Sequence, residues 1–314
     1  MSKVLVTGAA GFIGSHTVDL LLAEGHQVLG VDNFRTGNIR NLSGALTKPG
    51  FQFVQADFTD TLAMDRLISM NQPDALIHLA AMVSVPESIA QPAENLRLNF
   101  LGTKLLAVAA KRHGVKRLVF ASSAAVYGDG ATIPIREDSD CQPASPYGSA
   151  KLASELLLLN QFADASFRIR VQRYFNVFGP RQDPRSTYSG VISKFAVALD
   201  SGTAVTIFGD GEQSRDFISV TDVARANMIA ATLPVASSGI ANICTGREVT
   251  LNALYSVMGR IWGNCHAPIY APARAGDIRH SCGSGIRAQE QLAFASRVTL
   301  EDGLIALKLS LGAI

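Results

Sequence analysis

The sequence is short of nearly everything that marks a specialised class of protein. It lacks a charge imbalance: 28 Lys and Arg against 26 Asp and Glu leave a formal net charge of +2. Such a balance gives no electrostatic case for a nucleic acid or an anionic membrane surface as partner. It has four cysteines, Cys141, Cys244, Cys265 and Cys282, with no C-x-x-C pair among them. That spacing suits neither a disulfide scaffold nor a metal site, and free thiols in a reducing compartment are expected. No stretch of about 18 uncharged apolar residues is present, so no membrane-spanning helix is expected. Met1-Ser2-Lys3 runs straight into a strand-like segment, with no basic region, apolar run and cleavage site in succession. A cytoplasmic protein without a signal peptide is therefore expected. Internal repeats and low-complexity tracts are also missing.

What is there is an ordinary globular composition, 47% hydrophobic and 17% charged over 314 residues. This is enough for a large core in one α/β unit or two domains. Short β-branched runs at 3–7, 27–31, 51–55, 75–81, 117–122 and 168–175 read as strands. Segments 12–24, 61–70, 92–113 and 147–163 carry helical spacing between them. Strand and helix alternate through the first 175 residues, which predicts an α/β fold: a doubly wound parallel sheet of the Rossmann type. After Phe175 the pattern breaks into a segment rich in Pro, Gly, Arg and Ser, then resumes with a sheet-like return near Phe217. We therefore expect a sheet domain of residues 1–176 with 216–246 returning to it. Residues 177–215 and 247–314 are expected to form a smaller C-terminal substrate-binding lobe.

Gly8, Gly11 and Gly14 form a G-x-x-G-x-x-G turn between the first strand and the first helix. Glycine permits a tight turn and close approach to a pyrophosphate, and the helix N-terminus offers N–H groups to it. Asp32 ends the second strand, where a carboxylate can accept the adenosine ribose hydroxyls and repel a 2′-phosphate. That favours NAD over NADP, although a capping role before Asn33 is an alternative and nearby Arg35 argues mildly for NADP. Asp57, after the third strand, could reach the adenine or simply form a turn.

Ser123 ends the fifth strand, and Tyr147 and Lys151, four residues apart, share one face of the next helix. Oxidising a carbinol needs a base for its hydroxyl proton. A tyrosine of ordinary pKa, about 10, is a poor one. A lysine ammonium and a nicotinamide cation would both favour tyrosinate, while Ser123 orients the same oxygen.

VTGAAGFIGSH, HLAA, SSAAVYGD, SPYGSAKLASE, RYFNVFGPRQDP and SRDFISVTDVA together resemble the extended short-chain dehydrogenase/reductases. Within that family they look most like NAD-dependent UDP-hexose and UDP-N-acetylhexosamine 4-epimerases. The resemblance implies that Gly8, Gly11, Phe12, Ile13, Gly14, Asp32, Asn33, Asp57, Phe58, Leu79, Ala80, Ala81 and Asn99 contact NAD, with Tyr147 and Lys151. It implies Ser123, Tyr147 and Lys151 as catalytic residues. For the UDP-sugar it implies Asn176, Phe208, Arg215, Arg274 and Asp277, with Ser84 as a sugar contact or a plain turn residue. Family dehydratases and decarboxylases carry an acidic residue beside the catalytic serine or threonine; here Ser123 is followed by Ala124 and Ala125. In the resembling epimerases the residue four past the position of Asp277 flanks the sugar C2 substituent; here it is Ser281, small enough for an N-acetyl group, which favours UDP-GlcNAc/UDP-GalNAc with UDP-Glc/UDP-Gal as further substrates. A homodimer is usual for the resembling enzymes. The helices at 92–113 and 147–163 could supply it, or pack in the core. A sugar dehydratase or reductase and a non-catalytic dinucleotide sensor are the competing readings.

Overall fold

The structure, a computed structural model, describes residues 1–183, 190–234, 237–263, 266–273 and 278–311. Its first half runs β1 (Lys3–Thr7), α1 (Phe12–Ala23), β2 (Gln27–Asp32), β3 (Phe51–Gln55), α2 (Thr61–Asn71), β4 (Ala75–His78), α3 (Val85–Ala90), α4 (Pro92–Leu96), α5 (Thr103–Arg112), β5 (Arg117–Ser123), α6 (Pro146–Leu157) and β6 (Arg168–Tyr174). The second half adds β7 (Asn176–Phe178), α7 (Val191–Asp200), β8 (Thr206–Phe208), β9 (Ser214–Arg215), β10 (Phe217–Ser219), α8 (Val220–Thr232), β11 (Gly239–Ile243), β12 (Val249–Thr250), α9 (Leu251–Trp262), β13 (Ile269–Ala271), α10 (Ile286–Leu292) and α11 (Leu300–Leu311).

Seven strands pair in the order β11-β6-β5-β4-β1-β2-β3, every pair parallel. The predicted doubly wound sheet is thus present. Its strands read as continuous apolar runs because both faces are covered. Val4, Val6, Val28, Ile77 and Val119 point to the side of α1 and α8, meeting Val18, Leu21, Val223 and Ala226. Leu5, Leu29, Leu76, Leu118 and Phe120 point to the other side, against Met64 and Ile68 of α2 and Leu106 of α5. This is the period of two expected of strands. Truncating a fully buried leucine such as Leu5 or Leu76 is expected to cost about 2–5 kcal/mol. A separate apolar cluster gathers Phe195 and Leu199 of α7, Ile207 of β8, Leu254 and Met258 of α9, and Leu304 and Leu307 of α11. Strand order reverses between β1 and β4, and in open sheets ligands bind beyond the strand ends at that reversal.

Three expectations need adjusting. The strand expected over 75–81 stops at His78, because the backbone turns at Leu79 to close over the glycine turn. The helix expected over 92–113 is interrupted by a wide turn at Arg97–Gly102, where a Cβ on Gly102 would stand 2.7 Å from the Phe58 ring. The helix over 147–163 likewise loosens into a wide turn at Leu158–Phe162. Wide turns of this kind collect at functional sites, and the first one carries Asn99. Among the described residues no helix is long and apolar enough to cross a membrane.

Candidate active site

The glycine turn lies over the end of β1. Gly8 adopts φ +72°, and a Cβ there would stand 2.8 Å from the Ala80 nitrogen. A Cβ on Gly14 would meet the Gly8 carbonyl oxygen at 1.9 Å. Only glycine allows the turn, the 79–81 backbone and α1 to approach so closely. Gly11 precedes α1, and no side chain caps its first turn. The leading N–H groups, including those around Phe12 and Ile13, are therefore open to an anion.

Asp32 is buried beside this turn. Its carboxylate accepts from Ala10 N at 3.0 Å and Phe34 N at 2.7 Å, so it braces the turn. Burial pushes its carboxyl up, against the backbone hydrogen bonds. The Asn33 amide donates to Asp57 at 3.1 Å. Burial alone would raise Asp57, but hydrogen bonds from Thr59 and Asn33 and the charge of Arg97 hold it below the usual carboxylate range. Arg35 is engaged by Glu87 at 2.7 Å and Glu94 at 3.0 Å, which ties up the one cation that argued for a 2′-phosphate.

Phe58 packs on His78, ring centroids 5.0 Å apart. Leu79 N donates to Thr7 O at 3.2 Å, and Ala80 and Ala81 continue the loop to Met82. The Asn99 side chain lies beneath that loop, where its polar atoms bond Met82 and Asn95. These bonds hold the loop in place.

Ser123, Tyr147 and Lys151 come together as the sequence implied. Ser123 lies near enough to the Tyr147 phenol to act on its ionisation, Ser123 Oγ accepts from Ala125 N at 3.2 Å, and Lys151 Nζ donates to Ala121 O at 2.8 Å. The ammonium stands 5.9 Å from the centre of the Tyr147 ring. Ser88, a residue the sequence reading passed over, accepts the Tyr147 backbone N–H at 3.2 Å. Burial pushes the Tyr147 phenol up, with Ser123 opposing. Burial pushes Lys151 down to about 7, with Glu155 opposing. In the protein by itself, desolvation thus outweighs the lowering of the tyrosine expected from its lysine neighbour.

The substrate-side residues are more spread. Ser84 is the N-cap of α3, accepting from Glu87 N at 2.9 Å. Asn176 is exposed at the start of β7. Arg215 on β9 and Phe208 on β8 are half-buried, and Ser281 is buried with its N–H donating to Ser214 O at 3.2 Å. Arg274 and Asp277 lie outside the described residues. Sequence reasoning missed the buried Ser122–Glu155–Arg173 cluster behind Ser123, Tyr147 and Lys151. The signal available was a carboxylate one helical turn past Lys151 on a core-facing side.

A family model for the NAD dependent epimerase/dehydratase family matches residues 4–244. The chain belongs to that family. This epimerase/dehydratase family member is 38% identical over 308 residues to the UDP-glucose 4-epimerase of Mycolicibacterium smegmatis, covering 96% of each chain. Its structure superposes with a TM-score of 0.93 on the Thermotoga maritima UDP-glucose 4-epimerase solved with UDP-glucose, at 37% identity and 99% coverage of both chains. The UDP-N-acetylglucosamine 4-epimerase of Methanobrevibacter ruminantium, solved with UDP-N-acetylmuramic acid, gives the same TM-score, 0.93, at 34% identity, covering 99% of this chain and 98% of that one. The enzyme's cofactor is NAD, and the residues fit it: an uncapped helix start for the pyrophosphate, a cradle that a Cβ would fill, and Asp32 where a 2′-phosphate would be repelled.

Proposed function

We propose that this enzyme reversibly epimerises C4 of a UDP-sugar, with UDP-GlcNAc/UDP-GalNAc as the preferred pair and UDP-Glc/UDP-Gal as further substrates. The observation that carries the reaction is buried Lys151, its ammonium 5.9 Å from the centre of the buried Tyr147 ring and bonded to the end of the strand that carries Ser123, with Ala124 and Ala125 following where an eliminating enzyme needs an acid. The UDP-sugar 4-epimerase relatives support the same chemistry. Small, buried Ser281 supports the acetylated substrate.

The chemistry that bound NAD supplies is removal of hydride from C4 and its return to the opposite face. Tyr147 Oη takes the 4-hydroxyl proton and later gives it back, and Ser123 Oγ orients that oxygen. Lys151 holds positive charge under the phenol. Arg215 and Arg274 clamp the diphosphate through bidentate geometry, while Phe208 and Asp277 hold the nucleoside and Asn176 the linkage. Clamped there and held loosely at the ring, the 4-keto sugar turns over between the two half-reactions. Residues 177–215 and 247–314 serve as the nucleotide-sugar lobe, and 1–176 with 216–246 as the NAD domain. Leu96, Leu101, Leu105 and Leu156 are 48%, 44%, 40% and 53% exposed on α4–α6 and the turn between α4 and α5. That apolar face fits the homodimer usual among the resembling enzymes.

The test is incubation of the NAD-loaded protein with UDP-GlcNAc and, separately, UDP-Glc, followed by proton NMR and absorbance at the NADH band. The expected result is the C4 epimer of each, faster for the acetylated sugar, with no build-up of NADH. Stoichiometric NADH would mean a net dehydrogenase, and an unchanged sugar would end the proposal.

A further inference from the structure

Three consecutive residues of β5 meet three residues of α6. Ala121 O takes Lys151 Nζ at 2.8 Å, the Ser122 hydroxyl donates to Glu155 Oε1, and Ser123 lies beside the Tyr147 phenol. The outer two contacts belong to the reaction already described. The middle one leads to Glu155, which has no solvent exposure, and to Arg173, 2% exposed on neighbouring β6. Arg173 Nη2 lies 2.6 Å from Glu155 Oε2, and its Nε lies 3.1 Å from both carboxylate oxygens.

A buried ion pair is a poor stabiliser, because desolvating the two charges offsets their attraction. A pair of well-packed apolar residues would serve stability as well. What the charges can do here is act on Lys151. Its ammonium is bonded to a carbonyl and stands 4.8 Å from the Phe120 ring centroid. The titratable groups facing it are Tyr147 and Glu155 on its own helix and His78 on β4. The anion whose field reaches it is Glu155, one helical turn away. From β6, Arg173 reaches the same carboxylate.

We propose that Glu155 is a positioning residue for the reaction: held by Ser122 and Arg173, its carboxylate keeps Lys151 in the ammonium form beside Tyr147 and fixes the register of α6 on β5. The proposal rests on the roles given above to Tyr147 and Lys151. The same charge also neutralises Arg173, so the test must separate electrostatics from scaffolding.

The experiment is the pH profile of kcat/KM for the NAD-loaded wild type, E155Q and S122A. E155Q keeps an acceptor for Ser122 but loses the charge, so Lys151 deprotonates earlier. Its alkaline limb is expected to move about one pH unit or more to the acid side, with kcat down about tenfold on that limb and KM little changed. S122A keeps the charge, and its limb is expected to stay at the wild-type pH. A limb in E155Q that coincides with wild type, or one moved equally by S122A, overturns the proposal. Should E155Q fold poorly with Arg173 left unpaired, E155Q/R173Q removes both charges. Its limb is expected to shift the same way by less, and a wild-type limb there overturns the proposal too. Wild type and Tyr147→Phe are measured alongside: an inactive wild type refutes the epimerase reading itself, whereas an active wild type with an unmoved E155Q limb refutes only this inference.

Discussion

Asn99 and Met82 hold each other by two hydrogen bonds, Met82 N to Asn99 Oδ1 at 2.9 Å and Asn99 Nδ2 to Met82 O at 2.8 Å. The bonds pin the loop that follows β4 onto the wide turn before α5, and that loop closes one side of the glycine turn. Asn99→Ala removes both. At about 1 kcal/mol for each buried bond, NAD retention is expected to weaken by about tenfold or somewhat more. NAD content after gel filtration and calorimetric titration of the stripped protein measure this. Wild-type retention would mean that other contacts hold the loop.

Tyr147→Phe keeps the buried ring and removes the atom that exchanges the proton. Turnover is expected to fall by about 10²–10⁴, with NAD content and circular dichroism unchanged. Loss of NAD together with activity would instead assign Tyr147 a role in building the crevice.

Ser281→Tyr fills the space beside the segment that pairs with β9. The acetylated substrate is expected to lose at least about tenfold in kcat/KM relative to the plain hexose, and Ser281→Ala to leave the ratio near wild type. Parallel losses on both sugars would show that the tyrosine disturbs packing rather than selecting at C2.

Buried His78 sets a pH dependence of stability. Its ring nitrogens bond Thr7 Oγ1 at 2.7 Å and Thr103 Oγ1 at 3.1 Å. Burial, helped by the charge of Lys151, pushes it down to about 3 from 6.5. Because the folded value is depressed, the unfolded chain takes the proton first as pH falls. This contribution is complete above pH 6.5 and is lost progressively from there toward pH 3, at up to about 1.4 kcal/mol per pH unit. Urea unfolding at pH 7, 6, 5 and 4 should give a flatter acid slope for His78→Asn than for wild type; identical slopes would remove His78 from the account.

The sheet was legible because parallel strands buried on both faces are written as β-branched runs, and β1 and β3 have the expected bounds. Strand ends were harder: Leu79, Ala80 and Ala81 are as apolar as the strand before them, yet the Gly8 contact pulls them out of the sheet. The break at Arg97–Gly102 leaves no periodicity signal, since Gly102 is chosen by its contact with Phe58 and Thr59, not by its helix. Two-residue strands such as β9 and β12 owe their existence to pairing across the chain, which no local pattern encodes. At the site, the spacing of Tyr147 and Lys151 and the glycine turn could be read directly. Glu155 could not, because its meaning depends on Ser122 and Arg173 from two other strands. The substrate side rested on resemblance, with part of it outside the described residues.

After Tyr174 the chain leaves the main sheet, contributes Phe195 and Ile207 to the separate apolar cluster, and re-enters the sheet through β11 beside β6, Leu254 and Leu304 joining that cluster after the return. The excursion starts and finishes on adjacent strands of one rigid floor. Both ends of the excursion are therefore tied together by the ladder between β6 and β11, so a change around Phe195 or Ile207 is made against a fixed base.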